Sequence, residues 1–229
     1  MLKAVIFDFD GVIADSEPLH YRAFKETLSR YYGVDLAKER YYCEYLGYTD
    51  IECSQAISAD FNLGLDEGGI GQLMQEKTEI FDRLVQGQST ISDGVCEFVD
   101  RIKRQGVRLA VCSGALLADI GLMLRGTDLA NSIEIMVAAD HVQKGKPDPE
   151  GFLLTLQRLN KTAEEQIRPA DCVVIEDSPW GLEAAAAAGM HAIAVANTYP
   201  AEQLKGLAQK VVDRLDELTM DDLQSICSI

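Results

Sequence analysis

The sequence has no apolar segment near the roughly 20 residues that a membrane-spanning helix needs. Its first apolar stretch, Ala4–Phe7, is short and ends at Asp8, unlike the apolar region of a secretory signal peptide. The six cysteines form no C-x-x-C pair and lie far apart, which argues against a zinc site or a disulfide framework. These absences predict a reduced, cytoplasmic protein without a membrane partner.

Positive charge is also scarce, because 21 lysines and arginines face 37 aspartates and glutamates, a formal net charge of −16. No basic run offsets this balance, so nucleic acids and anionic lipids are unsuitable partners. A phosphorylated substrate would need local positive charge, from a metal ion or a well-placed lysine. The 229 residues, 47% of them hydrophobic, suffice for one sizeable core with a modest insertion.

Short, continuous apolar runs alternate with helical patterns along much of the chain. Apolar runs without polar alternation are typical of strands that are buried on both faces of a parallel sheet. Strands are predicted at Ala4–Phe7, Arg108–Cys112, Ile133–Val137, Cys172–Ile175 and Ala192–Val195, and helices at Val95–Arg104, Gly151–Leu159 and Leu182–Ala188. The pattern predicts an α/β fold with a doubly wound, Rossmann-like parallel sheet.

The stretch from Ser16 to Gln88 breaks this alternation, because it holds helical patterns but no buried strand. Helices are predicted at Leu19–Tyr31, Ile51–Phe61 and Ile70–Leu84. We therefore predict a core domain of residues 1–15 and 89–229 and a helical cap domain of residues 16–88, inserted after the first strand. Ligands of doubly wound sheets bind at the carboxyl edge, so the cap is expected to act as a lid.

Pairs of acidic residues follow two of the predicted strands. Asp8 and Asp10 come directly after the first strand, where buried carboxylates are costly unless a metal or hydrogen bonds satisfy them. One of them is suited to attack phosphorus and the other to handle the leaving-group proton. Glu176 and Asp177 follow a later strand and would suit magnesium. The structural alternatives are turn acids after the first strand and a helix cap from Asp177 or Ser178.

A hydroxyl and a lysine complete the candidate groups. Ser113 follows the second strand, and its hydroxyl with the backbone N–H groups after it, including that of Gly114, suits an anion at a helix start. The alternative is a plain helix N-cap. Lys146 stands between prolines and glycine in a constrained loop, where it would neutralise a phosphate or orient a nucleophile. It is preferred over Lys144, and the alternative is a solvated lysine.

These four groups, in this order along the chain, resemble the haloacid dehalogenase superfamily. The most specific segments are residues 5–13, 145–149 and 175–181, and the likeness covers essentially the whole chain. Within the superfamily the sequence is most similar to the beta-phosphoglucomutase and phosphoglycolate phosphatase branch.

The resemblance implies a role for each group. Asp8 would form an aspartyl-phosphate, with Asp10 as general acid and base. Ser113 and the backbone of Gly114 would hold the phosphoryl group, and Lys146 would balance its charge. The implied Mg²⁺ ligands are Asp8, the backbone carbonyl of Asp10 and Asp177, with Glu176 nearby or ligating.

The predicted function is that of a magnesium-dependent phosphatase acting on a small phosphorylated metabolite, such as a sugar phosphate. The rival is a sugar phosphomutase of beta-phosphoglucomutase type, and His20 matches a position of that group at the start of the cap. His20 and Thr49 are the cap candidates for substrate binding, with a hinge hydrogen bond as the alternative role of His20. The cap loop carries Asp50 where that group has an arginine, and a carboxylate cannot hold a second phosphate.

Three other functions fit less well. A dehalogenase needs neither the second acid Asp10 nor the metal acid Asp177. A phosphonatase would carry a lysine near the first cap helices, and none occurs from Glu39 to Glu76. A binding protein without activity would lack at least one catalytic group, and none of those that the resemblance implies is missing.

Overall fold

The computed structural model describes residues 1–86 and 91–228. The chain forms two compact units, one of Met1–Asp15 with Ile91–Ile229 and one of Ser16–Thr90, which we call the core unit and the cap unit. The predicted division, residues 1–15 with 89–229 and residues 16–88, also places an inserted unit after the first strand. Its second boundary, between residues 88 and 89, lies outside the described residues.

The core unit begins with strand β1 (Ala4–Phe7), which is completely buried. The chain leaves this unit after Asp15 and returns at Ile91, where an antiparallel bridge joins Ala14 to Ile91. Ser92 N–H donates to the Ile13 carbonyl at 2.9 Å, next to that bridge. The outgoing and returning segments of the insertion therefore lie side by side.

The cap unit is helical where it is described, and α1 packs along α4. Its helices are α1 (Glu17–Thr27), extended by a π-helical turn at Leu28–Tyr32, then α2 (Lys38–Glu44), α3 (Asp50–Asp60) and α4 (Glu67–Val85). Aromatic and aliphatic side chains form its interior, among them Phe24, Tyr45 and Leu73. The α2 helix was not predicted, because it spans seven residues and buries only Tyr41, too few for a helical period.

A six-stranded parallel sheet forms the centre of the described core unit, in the order β3-β2-β1-β4-β5-β6. The predicted doubly wound α/β fold is confirmed. The other strands are β2 (Arg108–Cys112), β3 (Ile135–Val137), β4 (Cys172–Glu176), β5 (His191–Val195) and β6 (Lys210–Val212). Its helices are α5 (Val95–Arg104), α6 (Leu117–Leu124), α7 (Leu129–Ser132), α8 (Glu150–Asn160), α9 (Pro179–Ala187), α10 (Ala201–Leu204) and α11 (Met220–Ile226). Three 3₁₀ turns complete it, at Ala139–His141, Pro169–Asp171 and Leu215–Glu217.

The register of the sheet aligns the strand ends that carry the candidate groups. Phe7, the last residue of β1, pairs with Val111 of β2 and Ile175 of β4. The pairing continues one residue further, because Asp8 N–H donates to the Ile175 carbonyl at 2.8 Å. Since all strands are parallel, the residues that follow β1, β2 and β4 meet at the carboxyl edge.

Element ends differ from the predictions where capping decides them. Strand β3 begins at Ile135 rather than Ile133, because Ile133 ends α7 with its N–H bonded to the Leu129 carbonyl at 3.2 Å. Helix α9 begins at Pro179 rather than Leu182, because the Ser178 hydroxyl accepts the Gly181 N–H at 3.1 Å. Strand β6 was not predicted, since it has three residues and buries only one of them. None of the described helices combines the length and apolar character that crossing a membrane requires.

Candidate active site

Asp8 and Asp10 flank a tight turn directly after β1. Asp8 is 6% exposed, and the Phe9 carbonyl accepts the N–H groups of Ile13 and Ala14, both at 2.9 Å. Gly11 has a φ of +79°, and a Cβ there would lie 1.7 Å from Oδ2 of Asp177. Glycine is therefore required, both by the left-handed backbone and by the close approach of the β4 loop.

Lys146 joins the β1 and β4 ends of the site. Its ammonium donates to Asp8 Oδ1 in a short hydrogen bond and to Glu176 Oε1 at 2.6 Å. It also lies over the ring of Phe152, 5.3 Å from the centroid. Lys144 is different, because its side chain is 73% exposed and its ammonium pairs with Asp148 at 3.6 Å. The preference for Lys146 over Lys144 agrees with this geometry.

Glu176 uses both of its carboxylate oxygens inside the protein. Oε1 accepts from Lys146, while Oε2 accepts the N–H groups of Asp177 and Ser178 at 2.7 and 2.6 Å and the Ser178 hydroxyl at 2.9 Å. A Cβ on Gly181 would lie 1.7 Å from Oε1, so this glycine lets α9 begin against the carboxylate. The geometry favours Glu176 as the residue that positions Lys146. Its direct ligation of a metal stays a prediction.

Asp177 presents an unsatisfied oxygen. The residue is 4% exposed, and its Oδ2 has no hydrogen-bond partner among the described residues. A buried carboxylate oxygen without a partner is costly unless a cation or water satisfies it. This orphaned atom is the observation that best fits a metal ion at the site.

The pKa values show how crowded the negative charge is. Burial and the charges of Glu176 and Asp10 raise the pKa of Asp8 to about 7, although Lys146 acts to lower it. Burial and the charges of Glu176 and Asp8 raise the pKa of Asp177 well above its ordinary value. Burial acts to lower the pKa of Lys146. The charges of Asp8 and Glu176 outweigh it and raise that pKa well above its ordinary value, so the ammonium stays protonated. Three buried carboxylates thus face one ammonium, an excess that a divalent cation would neutralise.

The donor set also suits magnesium. No three histidine, cysteine, aspartate or glutamate side chains converge on one point within the described residues. The set implied by the sequence needs only two carboxylates, Asp8 and Asp177, and the backbone carbonyl of Asp10. Magnesium accepts one or two carboxylates and takes its other ligands from water and substrate phosphate. The residues present therefore fit this ion.

Ser113 lies at the end of β2, beside the acidic pair. Its N–H donates to the Val137 carbonyl at 2.9 Å, and its hydroxyl accepts the Ala115 N–H at 2.9 Å. The same hydroxyl lies 3.4 Å from Asp10 Oδ2. The N-cap of α6 is Leu116, so the alternative that Ser113 caps this helix is wrong. Gly114 follows in an exposed position at this loop.

Thr49, a candidate for substrate binding in the cap unit, is the N-cap of α3. Its hydroxyl accepts the Glu52 N–H at 3.3 Å and donates to the Glu52 carboxylate at 2.7 Å, which makes a capping box. The hydroxyl therefore has a structural task. Its role in substrate binding stays a prediction.

His20, the other cap candidate, belongs to a buried charge cluster with Asp50 and Lys77. The Lys77 ammonium lies 2.5 Å from Asp50 Oδ2 and 2.7 Å from His20 Nδ1, and its side chain is 2% exposed. It also lies over the rings of Phe24 and Phe81, at 5.2 and 4.8 Å from their centroids. Because an ammonium only donates hydrogen bonds, Nδ1 of His20 is the acceptor in its contact with Lys77.

Lys77 is not among the predicted site residues, although the sequence contains a signal for it. Leu73, Ile80 and Phe81 lie at helical spacing from Lys77, so the lysine stands on the apolar face of α4. Asn197 and Thr198, which follow β5, are also absent from the predicted residues. Their only signal is that position, after a strand whose carboxyl end reaches the same edge of the sheet.

The sequence profile of the hydrolases described as haloacid dehalogenase-like matches residues 2–189. The chain belongs to this family. The predicted superfamily and the prediction of a hydrolase are thereby confirmed.

Named relatives and one solved structure agree with this family. Fructose-1-phosphate phosphatase YqaB of Escherichia coli is 35% identical, over 83% of this chain and 95% of that protein. A phosphorylated carbohydrates phosphatase of Thermotoga maritima is 33% identical, over 84% of each chain. The crystal structure of CbbY from Rhodobacter sphaeroides in complex with phosphate superposes with a TM-score of 0.81 at 29% identity, over 98% of this chain and 100% of that one.

Proposed function

We propose that this protein is a magnesium-dependent phosphatase that hydrolyses a small phosphorylated metabolite, such as a sugar phosphate, through an aspartyl-phosphate on Asp8. The observation that carries the proposal is a buried Asp8, hydrogen-bonded to Lys146, with the second acid Asp10 two residues away. Two relatives named as phosphatases of phosphorylated sugars support the substrate class. Free cysteines throughout the chain support a reduced, cytoplasmic location.

In the first step, a carboxylate oxygen of Asp8 attacks the phosphorus atom and the bond to the leaving oxygen breaks. Asp10, in its protonated form, gives its proton to that oxygen, so the product leaves as an alcohol. Lys146 holds the attacking carboxylate by its hydrogen bond to Oδ1. Ser113 and the N–H of Gly114 are the donors proposed for the phosphoryl oxygens.

In the second step, water attacks the phosphorus of the aspartyl-phosphate. Asp10, now ionised, accepts the proton of the water, and the bond between phosphorus and the Asp8 oxygen breaks. Inorganic phosphate leaves, and both acids return to their starting protonation states.

Magnesium, held by Asp8, Asp177 and the backbone carbonyl of Asp10, would offset the negative charge of the phosphoryl group during both steps. The orphaned Oδ2 of Asp177 and the excess of buried carboxylates support this part of the proposal. Lys146 alone supplies one positive charge against three carboxylates and a phosphate.

The first test replaces Asp8 by asparagine and follows phosphate release from an aryl phosphate and from fructose 1-phosphate, with and without Mg²⁺. We expect turnover to fall by at least about a thousandfold, since the nucleophile is lost. The melting temperature should change little, because the change relieves the repulsion among crowded carboxylates and leaves Lys146 paired with Glu176. Asp15→Asn, at an exposed acid of the same loop, is the matched control and should keep full activity.

Turnover retained by Asp8→Asn would rule out the nucleophile. The absence of phosphate release by the folded wild-type protein in Mg²⁺, across a panel of phosphorylated metabolites, would favour a binding protein. Glucose 6-phosphate formed from beta-glucose 1-phosphate and a bisphosphate primer, faster than free phosphate, would favour the phosphomutase alternative.

A further inference from the structure

The turn after β5 reaches the edge of the sheet that carries the acids. Two backbone hydrogen bonds fix its start, from Ala196 N–H to the Val212 carbonyl at 2.8 Å and from Asn197 N–H to the Val195 carbonyl at 2.9 Å. The next residue is Thr198, which is half-buried. This turn is anchored to the sheet before it reaches the site.

Asn197 holds the loop that follows β1. Its side-chain amide donates to the Gly11 carbonyl at 3.0 Å. Gly11 adjoins Asp10, whose backbone carbonyl is a proposed magnesium ligand. The peptide next to that ligand is therefore fixed from the β5 turn.

Thr198 contacts the loop that follows β4. Its hydroxyl lies close to the Asp177 carboxylate and favours the charged form, which opposes the rise in the pKa of that acid. A Cβ built on Gly11 would lie 1.7 Å from Asp177 Oδ2 and 2.8 Å from Thr198 Oγ1, so the three residues are in close contact. The loops after β1, β4 and β5 meet at this point.

The contact with Thr198 leaves one oxygen of Asp177 without a hydrogen bond among the described residues. Its side chain is buried, and Oδ2 keeps no hydrogen-bond partner among the residues described. A buried carboxylate with one unsatisfied oxygen suits a ligand that supplies positive charge.

We propose that Asn197 and Thr198 are positioning residues for the magnesium site, with Thr198 orienting the Asp177 carboxylate and Asn197 fixing the Asp10–Gly11 backbone. This inference rests on the magnesium requirement in the proposed function. It adds the turn after β5 to the loops that build the site. Residues that orient metal-bound carboxylates change metal affinity about 10–100-fold when they are replaced.

The test compares Thr198→Val with Thr198→Ser in titrations with MgCl₂ alone. Valine keeps the shape of threonine but removes the donor, whereas serine keeps the hydroxyl. Two readouts report binding without turnover, namely the rise in melting temperature with Mg²⁺ concentration and the fluorescence of Trp180. Trp180 is the one tryptophan of the chain, and its ring packs on Tyr199 at 5.6 Å between centroids.

We expect Thr198→Val to need about tenfold more Mg²⁺ or more for the same response, and Thr198→Ser to stay within about twofold of the wild type. Asn197→Ala should weaken binding in the same direction. Thr78→Val, which removes an exposed helix hydroxyl bonded to the Met74 carbonyl, is the matched control and should bind Mg²⁺ as the wild type does. Melting temperatures without Mg²⁺ show whether each variant folds.

Equal Mg²⁺ affinity of Thr198→Val and the wild type would overturn the positioning role and leave the proposed function standing. Equal weakening by valine and serine would also overturn it, because the hydroxyl would then not matter. A wild-type protein that shows no Mg²⁺ response in either readout, and releases phosphate without Mg²⁺, would overturn the metal requirement and this inference together.

Discussion

Lys146 shows at the scale of one residue how burial and charge combine at the site. Its ammonium is the shared partner of Asp8 and Glu176, whose side chains are 8% and 1% exposed. Without the lysine, two carboxylates would remain buried side by side with no cation between them. Removing one partner of such a buried group costs more than the interaction itself contributes.

Replacing Lys146 by methionine should lower the free energy of unfolding by about 3 kcal/mol, because the remaining carboxylates lose their counter-charge. Lys144→Met is the matched control and should change it by less than about 0.5 kcal/mol, since that ammonium is exposed. Urea unfolding at pH 7.5 measures both. Equal losses of unfolding free energy in the two variants would show that the contacts of Lys146 with Asp8 and Glu176 do not stabilise the fold.

The residues of the site differ in how far the sequence predicts them. Asp8 and Lys146 are chemically unusual where they stand, one after a buried strand and the other between Gly145 and Pro147, so type and position identify them. Thr198 and Asn197 are ordinary turn residues, and only the three-dimensional approach of β5 to β1 and β4 gives them a task. Lys77 is intermediate, because the sequence shows that it stands on the apolar face of a helix but does not show that Asp50 pairs with it.

At the scale of the elements, continuous apolar runs predict the central strands well, since burial on both faces leaves a plain signal. Strand β2 has the predicted limits, Arg108–Cys112. The weaker cases are short elements at the margins, such as β6 and α2. There one or two buried residues are too few to produce a period, and the neighbouring elements decide the conformation.

The packing of α1, α3 and α4 in the cap unit depends on the cluster of His20, Asp50 and Lys77. Asp50→Ala should lower the free energy of unfolding by about 3 kcal/mol, because it leaves the Lys77 ammonium buried without its carboxylate. The double change Asp50→Ala with Lys77→Met should recover much of that loss. Asp35→Ala, at an exposed pair with Lys25, should have almost no effect in the same urea unfolding experiment.

The last helix has a pH-dependent anchor in Asp222. Its carboxylate accepts from Lys210 at 2.5 Å and from the Thr219 N–H and hydroxyl at 2.9 and 2.7 Å, contacts that lower its pKa from 3.8 to about 2. A lowered pKa in the folded state means stabilisation above pH 3.8 that is lost as the pH falls toward 2.

Asp222→Asn should therefore lower the melting temperature at pH 7 by about 2–4 °C, the usual effect of a lost cap contact in a chain of this size. The difference in melting temperature between the variant and the wild type should narrow as the pH falls below about 4, where the wild-type carboxylate also begins to lose its charge. Asp221→Asn, at the exposed neighbouring acid, is the control. A difference in melting temperature that is constant with pH would show that the charge of Asp222 does not stabilise the fold.

At the scale of the whole molecule, the net charge of −16 opposes the approach of an anionic substrate. Salt shortens the reach of this repulsion, from about 30 Å at 0.01 M to about 8 Å at 0.15 M. At saturating Mg²⁺, kcat/KM for a phosphate monoester should therefore rise about twofold between 10 and 150 mM KCl. The rate at saturating substrate, kcat, should stay nearly constant, and a fall in kcat/KM would show that local attraction outweighs the charge of the molecule.

The bridge between Ala14 and Ile91 has a consequence for the history of the chain. Because the outgoing and returning segments are already joined at their base, the helices between them form a module that can be removed or replaced without a break in the sheet. The acids, the hydroxyl and the lysine proposed for chemistry all lie in the other unit. Selection can thus exchange the inserted helices while the groups proposed for chemistry are inherited unchanged.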